Sequence, residues 1–403
     1  MSEVERLTAA DQEAFEAACH LAFHEVAHPE VIAMDQRVTD AERTFAVRDG
    51  GEIVATGANL TRELTVPGGV VRMAGVSAIG VVPGHTRRGH LTAMMRRLLD
   101  DGREAGEPVA GLWASEGAIY GRFGFGIATR AMRYDLQLDR VALRRDAPLP
   151  GPRVQTLEPA AALERMRELH DRVRLAHPGM LDRRGAWWDR RIFDPEHRRD
   201  GAGPLRAAIQ PGDDGEAAGY ALFSPKLTWD DRGPAGSVNV RELVAETPEA
   251  RAGLWRFLLA LDLVRTLQWR IAPDHDPLPH LLTGNDAVDR RAGDGLFVRL
   301  LDVDAALSAR TYTTAADLVL ELDDPFCPWN SGRHRLRDGR CEPTEDPADL
   351  ALDAEALGSI YLGGTPVTAL AAAGRVRELR DGALLEATAA FRGAVEPWCP
   401  EIF

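Results

Sequence analysis

Residues 76–100 read VSAIGVVPGHTRRGHLTAMMRRLLD. Val76 to Val82 is rich in β-branched residues and predicts a buried strand, which Pro83 closes. Leu91, Met94, Met95, Leu98 and Leu99 then recur at the spacing of one helical face, while Arg96, Arg97, Asp100 and Asp101 take the other. Between strand and helix, His85-Thr86-Arg87-Arg88-Gly89-His90 sets basic side chains and a glycine at a helix N-terminus. Unpaired N–H groups and the positive end of the helix dipole favour an anion there. The glycine spacing is not that of a dinucleotide fingerprint, and the Gly-Lys-Ser/Thr ending of a Walker loop is missing. The competing reading is an ordinary turn with a solvated basic tip.

The rest of the chain bounds what such a loop can serve. With 403 residues it exceeds one ordinary core and predicts two or three domains. Hydrophobic residues at 45% beside 27% charged ones are a globular balance. A net charge of −14 argues against nucleic acid and suits cationic partners such as amines. Cys19, Cys327, Cys341 and Cys399 lie far apart, so neither a zinc knuckle nor a disulfide framework is expected, and a reducing cytoplasm fits. The N-terminus has no secretory pattern and no apolar run is long enough to span a bilayer, so a soluble cytoplasmic protein without a membrane partner is expected.

Ala9 to Phe23 has helical spacing and runs into His24-Glu25-Val26-Ala27-His28, a literal HExxH with His20 one turn earlier. Pro29 biases His28 away from helical geometry, and no third-ligand signature follows, so the expectation is a helix end lining a cleft, with no metal. Thr44–Val47 pairs with Ile53–Asn59, and Leu60–Val66 with Val70–Met73, as two predicted hairpins leading into the opening strand. Pro108–Ala114 predicts a further strand, followed by a short helix within ASEGAIYGRFGFG, residues 114–126.

RRGHL at 87–91, ASEGAIYGRFGFG, DPLPHLL at 276–282, GSIYLGG at 358–364 and the terminal Phe403 occur in this order. Together they resemble the Eis (enhanced intracellular survival) family of aminoglycoside N-acetyltransferases, within the GNAT superfamily, and the resemblance spans essentially the whole chain. It implies an α+β protein: tandem GNAT-like domains followed by a sterol-carrier-like α/β domain. The corresponding boundaries are 1–150 for an acetyl-CoA-binding domain, 151–293 for a second GNAT-like domain without a coenzyme site, and 294–403 for a C-terminal domain whose tail enters the active site. The linker is read at Ala147-Pro148-Leu149-Pro150-Gly151-Pro152. In the second domain, Thr247-Pro248-Glu249 starts a helix with a capping threonine, but the turn has carboxylates in place of glycine and arginine. Leu296–Val303 is expected to open the third unit, and Asp338-Gly339 to turn a hairpin within it. The loop departs from the usual GNAT pattern, with Thr86 in its first place and Leu91 in its last.

Acetyl transfer to an amine needs a cradle for acetyl-CoA, a base and an acid. Ile79, Gly80 and Val81 would offer backbone groups to the pantetheine arm, and Arg87, Arg88, Gly89, His90, Leu91 and Thr92 would hold the pyrophosphate. Ser115 and Glu116 would border the same cleft. Tyr120 is the candidate acid, since a phenol of pKa about 10 can lend a proton to a departing thiolate. The resemblance implies that the Phe403 carboxylate accepts the amine's proton, with Glu401 as a nearby alternative. It also implies Glu25 and Asp294 as acidic acceptor-binding residues and a homohexameric assembly. The acceptor is expected to be a cationic small-molecule amine or a lysine side chain. The rival functions are a non-catalytic acetyl-CoA or ligand-binding protein, lipid transfer by the third domain, and a zinc hydrolase.

Overall fold

The computed structural model describes residues 2–148 and 151–403, so Leu149 and Pro150 of the expected linker lie outside the described residues. The first sheet has seven strands. Its centre is one long antiparallel hairpin, Glu52–Val66 against Gly69–Val81, turned by Pro67 and a Gly68 at φ +77°. Both expected hairpins are present, Thr44–Asp49 with the first half of Glu52–Val66 and the second half of that strand with Gly69–Val81, but they share one continuous strand where two were expected. Nothing between Asn59 and Leu60, or between Met73 and Val76, supplies a turn residue pair, so each strand runs on. Thr44–Asp49 flanks the hairpin on one side, and Val109–Trp113 pairs in parallel on the other. The helix His90–Glu104 crosses between those parallel strands. Its Met94, Met95, Leu98 and Leu99 are buried against Phe45, Val54, Val76 and Leu112. Gly57 is required under it, since a Cβ there would lie 2.8 Å from the Met94 side chain.

The sheets trade strands across the expected boundaries. Leu296–Leu300, read as the opening of the third unit, inserts between Val109–Trp113 and Gly126–Ile127 of the first sheet. Its Leu296, Val298 and Leu300 face the third domain's core while Phe297 faces the first domain's, so a strand buried on both sides joins the two. In return, Arg130–Gln137 leaves the first domain and pairs in the second sheet with Val264–Ala272 and Val288–Asp294. The boundaries at 150/151 and 293/294 thus follow the chain but not the sheets; hydrophobic patterning marks a strand without naming its partner.

The second sheet repeats the strand–helix–strand plan in Gly236–Ala245, Pro248–Leu259 and Val264–Ala272. The third domain is a five-stranded sheet covered by the helices Ala354–Ile360, Val367–Ala372 and Ala383–Phe391. Its hairpin turns at Asp338-Gly339 with φ of +52° and +73°, the two left-handed residues of a type I′ turn.

Candidate active site

Parallel pairing between Gly69–Val81 and Val109–Trp113 is confined to Met73–Gly75 opposite Val109–Gly111. Beyond Gly75 the strands diverge, which leaves the facing edge of Val76–Val81 without a strand partner. A bulge opens the same segment, with Ala78 and Ile79 set against Gly57 and Ala78 forced to φ +54°. The splay holds a cleft of about 470 Å³, lined by Val76, Ala78 and Ile79 on one wall and by Trp113, Ser115 and Tyr120 on the other. Gly80 and Val81 continue the strand outside that lining. Gly80 is packed under the first helix, where a Cβ would meet Ala22 at 2.7 Å.

At the outer end of the cleft strand, Gly84, Arg87 and Gly89 have φ of +89°, +64° and +85°. These left-handed residues bend the loop tightly into the helix, and Gly89 stands at its N-cap without a side-chain cap. The first bond of the helix from within the loop is donated by Ala93 to the Gly89 carbonyl at 3.1 Å, so the amides of His90, Leu91 and Thr92 face the loop. Arg88 donates to the Gly84 carbonyl at 3.1 Å and lies 3.4 Å from Asp49. Arg87 is exposed, and Leu91 packs partly into the core, which leaves only its amide for a ligand. His90 bonds Ser2 at 2.8 Å. A cradle of free amides beside two guanidiniums fits a pyrophosphate, with Thr86 exposed at its rim.

Tyr120 sits between the turns Gly117–Ile119 and Gly121–Phe123, buried edge-on to Phe125 at 6.3 Å. Burial, and then the Glu116 charge, raise its pKa above the phenol value of 10.0. Glu116 itself is exposed and does not line the cleft.

The chain's last residues come to the same place. Trp398 donates its indole N–H to the Ile271 carbonyl at 3.1 Å and stacks edge-on against Trp269, Cys399 is buried, and Glu401 is bound by Arg183. Phe403 then lines the cleft with its ring 5.8 Å from the guanidinium carbon of the buried Arg62, whose own guanidinium stacks on Trp187 at 3.8 Å.

Of the three acidic residues expected beside the cleft, Glu401 and Asp294 stand elsewhere. Glu401 does not reach the cleft: it lies among arginines, and although burial pushes its pKa up, Arg183 and Arg191 outweigh this and hold it below the usual carboxylate value. It therefore stays ionised as an anchor of the tail instead of exchanging protons. Asp294 is exposed at the end of its strand, its carboxylate beside Gly117 and off the cleft lining. Glu25 does line the cleft, but not on a helix. The first helix ends at Phe23, His24 is left-handed at φ +57°, and Pro29 starts a new helix with His28 as its extended N-cap. His28 stacks on His197 at 3.6 Å, so the HExxH spacing never becomes one helical face. Among the described residues, the group of three potential metal ligands within 4.8 Å is Asp304, His334 and Cys341, and it includes neither histidine of that motif.

The cleft also holds residues that sequence reasoning missed. Glu16 and Asp35 line it, and Asp35 pairs with Arg190 of the second domain. Burial, then the neighbouring Asp35, raise Glu16 from 4.5 to about 6. Glu16 precedes His20 by one turn on the helix already expected, but nothing in the sequence says that this face meets a cleft.

A splayed parallel pair, a bulge at its mouth and an uncapped helix after a basic loop define a GNAT-type acetyl-transfer fold. An acetyltransferase (GNAT) domain model matches residues 3–128, a second matches 179–314, and a sterol carrier protein domain matches 303–400. An N-acetyltransferase of Streptomyces avermitilis is 46% identical over 373 residues, covering 91% of each chain. N-acetyltransferase Eis of Mycobacterium tuberculosis is 36% identical over 385 residues, again covering 91% of each. The crystal structure of Eis1 from Mycobacterium abscessus superposes with a TM-score of 0.87 at 34% identity, covering 100% of both chains. The chain belongs to the Eis family of GNAT N-acetyltransferases. Its α+β architecture is the expected one, and it is an acetyltransferase, not a binding protein without catalysis. The GNAT fold implies acetyl-CoA as co-substrate, and the relatives imply an amine-bearing acceptor. Among the described residues, no helix is long and apolar enough to cross a membrane.

Proposed function

We propose that this enzyme acetylates amines of polyamine-like acceptors such as aminoglycosides, or lysine side chains. The observation that carries the reading is the convergence of Tyr120 and Phe403, which are 283 positions apart in sequence numbering (403 − 120), on one cleft beside the amide cradle. Bound acetyl-CoA supplies an activated acetyl thioester. Arg87, Arg88 and the amides of Gly89 to Thr92 hold its pyrophosphate, and the exposed edge of Ala78 and Ile79 aligns its arm. The acceptor ammonium is drawn in by Glu16, Glu25 and Asp35. Its proton goes to the Phe403 carboxylate, and Tyr120 donates its phenolic proton to the departing sulfur, recovering one from solvent. Burial suits Tyr120 to this, because a raised pKa keeps the phenol protonated.

A thiol-release assay with acetyl-CoA and a panel of amines tests the reading. Turnover lost on Tyr120→Phe with acetyl-CoA binding intact is expected; full activity in that variant overturns the assignment of the acid. The homohexamer and the cytoplasmic location are also part of this reading. Light scattering on the purified chain, at six times 44.0 kDa, checks the assembly.

A further inference from the structure

Behind the tail lies a second cavity of about 230 Å³, which shares Trp187, Arg190 and Ile402 with the acetyl-transfer cleft. The two are therefore neighbouring chambers of one acceptor space, divided by the side chains of the tail and of Trp187. Their charges are opposite. The cleft is lined by Glu16, Glu25 and Asp35, whereas the second chamber is lined by Arg190, Arg191, Arg198 and Arg241 against Asp194 and Glu401. In a chain of net charge −14, four guanidiniums facing two carboxylates is a local reversal of sign.

Most of this positive charge is fixed in place. Arg191 bonds Glu242 and the Pro400 carbonyl, Arg241 bonds Asp194 and the Phe193 carbonyl, and Arg190 is held by Asp35. Arg198 is different. It is exposed on the short turn Glu196–Arg198, and no ion pair among the described residues involves it. Asp35, Glu242 and Asp194 pair Arg190, Arg191 and Arg241, so Arg198 is the guanidinium of the chamber left without an ion pair among the described residues. A bound oxyanion supplies its counter-charge, and guanidinium forks match carboxylate geometry.

We propose that this chamber is an anion subsite of the acceptor pocket, so that the preferred acceptor is bipolar, with its amine in the acidic cleft and a carboxylate among Arg190, Arg198 and Arg241. This rests on the acetyltransferase reading above and, within it, favours a lysine-like acceptor over a polyamine-like one, because a purely polycationic acceptor leaves the arginine chamber unused. The acidic and basic walls together set the orientation, since an acceptor entering backwards meets like charge at both ends.

The test uses the full chain, acetyl-CoA, a series of ω-amino carboxylates of increasing chain length, and the α,ω-diamines of the same methylene count. The expected result is that the best carboxylate exceeds its matching diamine in kcat/KM by about tenfold, as for one charge-assisted contact. Arg198→Glu should erase or reverse that ratio while diamine turnover persists. Preference for the diamine at every length, or an unchanged ratio in Arg198→Glu, overturns the proposal. Calorimetric titration with inorganic sulfate reads the chamber without any turnover. Saturable binding that Arg198→Glu weakens supports the subsite even where no tested amine is acetylated, and binding equal in both proteins overturns it. Absence of turnover on every amine in the wild-type protein counts instead against the acetyltransferase reading, so the two failures are told apart.

Discussion

The same strand–helix–strand unit occurs twice in this molecule, and the splay beside it holds a cleft of about 470 Å³ in the first copy but a cavity of only about 140 Å³, walled by Trp398, in the second. In both, a parallel strand pair separates partway: Gly75/Gly111 is the last pair in the first domain and Val240/Trp269 in the second. In the first, the space beyond is the cleft and the helix begins at an uncapped Gly89. In the second, the Trp398 ring packs against Trp269 with its N–H on the Ile271 carbonyl, so the tail fills that side. Its helix is closed by Thr247, which accepts from the Ala250 amide at 3.1 Å, and by Pro248, which has no amide to offer. A shared topology thus offers two helix N-termini, and a handful of turn residues decides which one keeps its amides uncapped. The second unit is the wall against which the C-terminal tail packs.

Deleting Phe403 is expected to give the largest effect on that division of labour. Turnover should fall by about 10²–10⁴-fold, the usual worth of a positioned proton acceptor, while calorimetric affinity for acetyl-CoA stays unchanged. Retained turnover would break the link between the tail and the first cleft. Trp398→Ala should cost roughly 3–5 kcal/mol in denaturant unfolding, because it empties a buried aromatic site, and should lower kcat as well through the displaced tail. A loss of stability with kcat intact would make the plug purely structural. Next, Arg87→Ala should raise KM for acetyl-CoA about tenfold with little effect on kcat, whereas Glu249→Ala at the equivalent turn should leave both unchanged.

A pH series sharpens the acidic side. Glu16 keeps its proton in the folded protein up to about 6, where an unfolded chain would have lost it near 4.5. Stability therefore declines as pH rises through that interval, and the cleft gains a negative charge over the same interval. KM for a cationic amine should fall severalfold as pH rises through about 6. Glu16→Gln should flatten that dependence; a curve identical to wild type assigns the titration elsewhere. The smallest effect belongs to the closed turn. Thr247→Ala should cost about 1 kcal/mol of stability, read in denaturant unfolding, and should leave acetyl-CoA binding untouched.

By itself the sequence determined the local elements and the loop chemistry. Val76–Val82, the helix from His90 and the basic glycine loop follow from β-branching, apolar spacing and left-handed glycines, all properties of near neighbours in the chain. The Asp338-Gly339 turn and the capped helix at Pro248 were legible for the same reason. Tertiary structure decided everything that needed a partner. Leu296–Leu300 joined the first sheet, because an apolar strand pattern is equally content beside any sheet edge with matching cores on both faces. The break in HExxH was legible in Pro29, and the fold added only where the first helix stops, at a left-handed His24. Glu401 became an anchor because Arg183 and Arg191 reach it from the second domain, and Glu16 a cleft carboxylate because the fold buries it beside Asp35. The loop and helix end were readable because they are local; the cleft was not, because its walls meet only when residues 16, 120, 187 and 403 fold together.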